Sequence, residues 1–70
     1  MSRQHPDAKE IGHRLRELRG TRTMQEIADQ IGTAVSTIGM YERGERVPAD
    51  QVKILLAELY GKTVQQIFFD

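Results

Sequence analysis

Residues 23–44 read "TMQEIADQIGTAVSTIGMYERG", and the fold turns on this stretch. Thr23 and Glu26 have the spacing of a capping box: the hydroxyl can accept from the Glu26 N–H while the carboxylate reaches back to the Thr23 N–H. Met24, Ile27, Ala28 and Ile31 then recur at three- and four-residue steps and form one apolar face. Gly32 ends that helix. A second pattern starts after the Gly-centred turn, with Val35, Ile38 and Tyr41 or Glu42 at helical steps, Thr33 as its expected cap and Gly44 as its stop. Two helices of about two turns each, with small Ala28 in the middle of the first, suit a close, steep crossing. A larger side chain at Ala28 is expected to push the pair apart.

The chain on either side completes a helical domain. Residues 1–7, "MSRQHPD", are polar and read as a flexible arm. From Ala8, the residues Ile11, Leu15 and Leu18 fall on one face of a helix that Gly20 stops. After residue 44, "ERVPAD" is a loop, with Pro48 near the start of the next helix. "DQVKILLAELYG" is apolar over much of its circumference, so it is central or keeps a second face for a partner. Thr63 and Gln66 form another capping-box pattern, opening a last short helix that ends in Ile67, Phe68 and Phe69. No strand alternation or internal repeat interrupts this order. The expected fold class is all-α, a five-helix bundle with the helix-turn-helix at helices two and three, and residues 8–70 form one domain.

Composition bounds the chemistry. Seventy residues make one domain, and a chain this short buries only roughly 60% of its unfolded surface. There is no Cys, so disulfides are out, and His5 and His13 lack the spacing of metal ligands. No metal or other cofactor is expected. No Cys nucleophile, glycine-rich phosphate loop or triad signature around Ser36 and His13 is present, so an enzyme with a small-molecule substrate is not the expected reading. No run approaches the ~20 apolar residues of a membrane span, and the N-terminus lacks a signal peptide's apolar core. The expected setting is the cytoplasm, away from the membrane.

Ten basic and ten acidic residues cancel, but they are not evenly spread. Residues 1–22 hold six basic against three acidic residues, a net +3. Residues 23–42 hold no Lys or Arg against Glu26, Asp29 and Glu42, a net −3. Arg43 and Arg46 then flank Glu45. Positive charge thus sits on both sides of a neutral stretch, either as solvated helix faces or as basic flanks around a neutral probe.

Taken in order, "IGHRLRELRG", "TMQEIADQIG", "STIGMYERGERVP" and "AELYGKTVQQIFF" span about residues 9–69. In this order and spacing the chain resembles the Cro/phage-repressor (Xre-type) helix-turn-helix family. The resemblance implies a five-helix DNA-binding domain, often dimeric, that represses or regulates transcription. It places Val35, Ser36 and Met40 where base edges are usually read, and Thr37 at a frequent base or phosphate contact. Thr23 falls on the usual N-cap of helix two, Met24 where relatives often carry a phosphate-touching Gln, and Ala34 on the usual cap of helix three. Arg19 and Glu42 fall on an ion pair joining helix one to helix three, and Arg43, Gly44 and Arg46 on the loop that lies along the DNA backbone.

Affinity for DNA comes mostly from neutralised phosphates, and discrimination from base edges. Arg19, Arg22, Thr23, Arg43 and Arg46 are therefore the candidate phosphate contacts, with Arg3 of the arm and Lys9 just beyond it as additions in the minor groove. Val35, Ser36, Thr37 and Met40 are the candidate base contacts. They offer hydroxyls and apolar packing on thymine methyls but no Arg for guanine and no Asn or Gln for adenine. So small a domain is expected to act as a homodimer on duplex DNA, with Leu55, Leu59, Phe68 and Phe69 as the dimer interface. The neutral third helix and Met24 keep one alternative open: a protein-interaction module, antitoxin-like or anti-repressor, with weak base reading. A regulatory protein partner is compatible with either reading.

Overall fold

The computed structural model describes residues 6–70. Among these residues there are five helical elements and no strand. They are α1 (Ala8–Arg19), α2 (Met24–Ile31), α3 (Val35–Glu42), α4 (Asp50–Tyr60) and a C-terminal π-helical turn (Gln65–Phe69). No helix among the described residues is long and apolar enough to cross a membrane.

Each start and stop has a local cause. The Thr23–Glu26 box opens α2, with the Thr23 N–H donating to Glu26 Oε1 at 2.7 Å and the Glu26 N–H to Thr23 Oγ1 at 3.1 Å. Thr63 and Gln66 pair in the same way before the C-terminal turn. A third box, Asp7 with Glu10, opens α1. Asp7 and buried Pro6 are therefore part of the folded domain rather than of a loose arm. The rest of the expected arm, including Arg3, lies outside the described residues. Gly44 closes α3 at φ +75, where the Glu45 N–H reaches Met40 O and the Gly44 N–H reaches Tyr41 O.

Two local expectations change. Thr33 does not cap α3: the N-cap residue is Ala34, one position later, and no side chain caps it. The Thr33 N–H instead closes α2 onto Ala28 O. The last helix is π-wound, with the Asp70 N–H bonded to Gln65 O at 2.8 Å. That winding accompanies burial of both Ile67 and Phe68.

The core joins Ile11 and Leu15 of α1, Ile27 and Ala28 of α2, Ile38 and Tyr41 of α3, Leu56 and Ala57 of α4, and Ile67 and Phe68. Ala28 has no exposed surface, so the α2–α3 crossing has no room for a larger side chain there. The α1–α3 contact depends on Gly12. A Cβ at that position would run into the carbonyl oxygens of Tyr41 and Glu42, both backbone atoms. Arg14, which from its spacing looks like a solvated residue, is half-buried and donates from Nη1 to Gln66 O and Ile67 O, tying α1 to the C-terminal turn.

The second apolar face of α4 is present, but it is made differently from expectation. Ile54 and Leu55 are exposed, as is Val47 in the preceding loop. Leu59 and Phe69 are partly buried against the core. Phe68 is only 2% exposed, and this packing removes it from any dimer surface. Lys53 lies over both C-terminal rings, its Nζ 5.6 Å from the Phe68 centroid and 5.0 Å from that of Phe69.

Candidate nucleic-acid interface

Helix α3 packs on α1 and α2 through Ile38 and Tyr41. At 100° per residue, burying those two leaves Val35, Ser36, Gly39, Met40 and Arg43 along the outward side. Val35 and Ser36 are exposed there, Met40 is half-buried and Gly39 is buried under the Arg43 side chain, while Thr37 is half-buried on the flank. The missing cap also matters: the Val35 and Ser36 N–H groups have no acceptor among the described residues. Two backbone donors and the positive end of the helix dipole therefore face solvent at the start of α3. Met24, at the position where relatives often carry a phosphate-touching Gln, packs partly buried against the core, in line with its place on the apolar face of α2.

The arginines divide into two groups. Arg19 belongs to the fold: its Nε donates to Glu42 Oε2 at 2.7 Å, its Nη2 to Glu42 Oε1 at 3.0 Å and its Nη1 to Arg22 O at 2.8 Å. The two side chains are only 14% and 7% exposed. The hydrogen bond to Glu42 raises the Arg19 pKa, against the opposing effect of burial. The pair ties the end of α1 to the last turn of α3, so it positions the outward face. Arg22 is also drawn inward, donating to Arg19 O and Leu18 O, with its guanidinium 5.2 Å from the Tyr60 ring centroid. Thr23 spends its hydroxyl oxygen on the α2 cap.

Arg43 and Arg46 are exposed. Arg46 has no hydrogen bond or ion pair among the described residues. Arg43 is paired with Glu45, its Nε 2.9 Å from Oε2 and its Nη2 3.3 Å from Oε1. That hydrogen bond raises the Arg43 pKa and lowers that of Glu45. The Arg43 head folds back over Gly39: a Cβ built on Gly39 would have Arg43 Nη1 at 2.8 Å as its nearest neighbour, then Arg43 Cζ and Nη2. The sequence counts Arg43 as lying beyond a neutral helix, yet its guanidinium lies on the helix's outward side. The signal for this was the pairing of Gly39 with an arginine four residues later.

Residues 13–67 match the helix-turn-helix family. The chain belongs to that family, in its Cro/phage-repressor (Xre-type) branch. Among solved structures, this helix-turn-helix chain is similar to the restriction-modification controller protein C.AhdI from Aeromonas hydrophila, with a TM-score of 0.78 at 28% identity over 87% of this chain and 96% of that one. It is also similar to the DNA-binding domain of BldD from S. venezulae, with a TM-score of 0.71 at 29% identity over 87% of this chain and 94% of that one. No curated protein matches it.

Among the described residues no group of His, Asp and Glu could hold a metal ion. A groove of about 330 Å³ between α1 and the C-terminal turn is lined by His13, Arg14, Glu17, Leu18, Lys62, Gln66 and Ile67. It lies away from α3.

Proposed function

We propose that this helix-turn-helix protein, a DNA-binding transcriptional regulator, represses by seating α3 in the major groove of duplex DNA as a homodimer on two half-sites. The observation that carries this reading is the outward side of α3. It presents Val35, Ser36 and Met40, with Thr37 on its flank, beside two N–H groups that have no acceptor among the described residues, and the loop after α3 carries the exposed Arg46. Backbone donors at a helix start suit a phosphate. The exposed Arg46 supplies a cation for a further phosphate. Arg19 and Arg22 act on DNA chiefly by holding the helices in register, because their guanidinium groups are engaged within the fold, while the exposed Thr23 hydroxyl accepts in the α2 cap and keeps its O–H to donate to a phosphate. Both solved relatives named above fit this reading, one as a controller protein and the other as a DNA-binding domain.

The dimer surface in this reading is the open face of α4, with Leu55 and Ile54 at its centre and Leu59 and Phe69 at its edge. The protein acts in the cytoplasm, where its DNA target lies. A regulatory protein partner would compete for that same apolar face.

A titration against random-sequence duplex at two salt concentrations tests the reading. Binding that weakens with salt, by about 0.9 in log K per log unit of salt for each phosphate contacted, is expected. Arg46→Ala should reduce that slope by about one contact and weaken all sequences alike. No binding even at low salt would refute the DNA role and favour the interaction module.

A further inference from the structure

We propose that Arg43 reads a guanine in the major groove, with Glu45 as the residue that positions it and Gly39 as the seat on which it lies. This rests on the DNA-binding reading above. It moves Arg43 from the gripping set to the reading set, and gives the apparently neutral α3 a sharp contact.

The guanidinium has two edges that can each make a pair of parallel hydrogen bonds. Glu45 takes the Nε–Nη2 edge, at 2.9 and 3.3 Å. The Nη1–Nη2 edge makes no hydrogen bond among the described residues, and Nη1 is the atom lying over Gly39. Gly39 sits on the same side of α3 as Val35 and Ser36, so the free edge lies among the candidate base contacts. Any side chain at 39 would occupy the space Arg43 uses: the built Cβ is 2.8 Å from Nη1.

The pairing with Glu45 favours a base over a phosphate. A phosphate brought to Arg43 would approach a carboxylate whose side chain is 55% exposed, and like charges repel. Guanine presents neutral acceptors, O6 and N7, that match the free edge bidentately. The cytosine amino group alongside is a donor that a carboxylate accepts. A carboxylate holding one edge of an arginine also restricts its rotamers, so less freedom is lost when the other edge meets a base.

The test uses the full chain and a duplex it selects from a random pool, measured by fluorescence anisotropy with each guanine replaced in turn by 7-deazaguanine, which lacks the N7 acceptor. In the wild type, the replacement at one guanine position should weaken binding about fivefold to a hundredfold. Arg43→Lys keeps the charge but has no fork, so it should retain affinity for random duplex and lose that penalty. Gly39→Ala should lose it too, because only the far end of Arg43 has to move. Glu45→Gln should bind random duplex more tightly and discriminate less. If Arg43→Lys or Gly39→Ala shows the wild-type penalty at the same guanine, the proposal fails. Selected sites with no fixed guanine overturn it while leaving DNA binding intact. No binding to any duplex at low salt removes both readings.

Discussion

Replacing Arg19 by Met tests how far the fold depends on the tie between α1 and α3. Met keeps the apolar stem of the side chain but removes the guanidinium, and with it the two bonds to Glu42 and the one to Arg22 O. What remains is a Glu42 carboxylate on a side chain only 7% exposed, with its arginine gone. Breaking a buried pair from one side costs ~3–5 kcal/mol, mostly through the stranded charge. Because both groups keep a small exposed rim, the lower end, about 3 kcal/mol, is expected. A chain of this size has a total stability of ~3–10 kcal/mol, so the loss is a large fraction of the whole. In a thermal melt followed by circular dichroism it corresponds to a drop in Tm of roughly 12–24 °C. The double variant Arg19→Met, Glu42→Leu should recover most of it, because no charge is left buried. A single-variant loss below about 1 kcal/mol, the range of an exposed pair, would show that the pair is solvated and does not position α3.

Gly12→Ala should destabilise the domain by ~1–3 kcal/mol in urea unfolding, because its Cβ meets the backbone carbonyls of Tyr41 and Glu42; a neutral or stabilising effect would mean that α1 and α3 do not approach so closely. Tyr60 offers a pH test. Burial is the main cause of its raised pKa, followed by the charge of Glu42. The fold therefore favours the neutral phenol, a contribution fully present below the free tyrosine value near 10 and lost as pH rises beyond it. Unfolding midpoints should fall from about pH 10 upward, and less steeply in Tyr60→Phe; equal slopes would contradict the assignment. Ile54→Glu with Leu55→Glu should leave the helical content unchanged and make the protein sediment as a monomer at concentrations where the wild type is a dimer; a wild type that is monomeric with and without DNA would end the dimer proposal.

The features legible in the sequence were local. The Thr23–Glu26 and Thr63–Gln66 boxes needed only spacing, and the α2 and α3 core faces needed only periodicity. The Asp7–Glu10 box was equally visible in principle, but a polar opening segment with a proline masked it. What stayed hidden involved residues far apart in the chain. Gly12 looks like an ordinary helical glycine until α3 is laid across it. Arg14 reaches carbonyls more than fifty residues away. Phe68 and Phe69 are adjacent aromatics, and only the winding of the last turn decides which of them is buried. At the site, the resemblance supplied the candidate base-contact positions and the Arg19–Glu42 ion pair, while the inward turn of Arg22 onto Leu18 O and Arg19 O could not be read from the chain. Charge counting along the chain also left Arg43 outside the helix it covers.

Selection from a random duplex pool, followed by footprinting of the winning sequence, tests the central proposal of a dimer reading DNA through α3. The expected result is a near-palindromic site whose two half-sites lie about one helical turn apart, roughly 10 bp from centre to centre, each with protected major-groove edges. A single unpaired half-site, or a pool that never departs from random sequence, would contradict it.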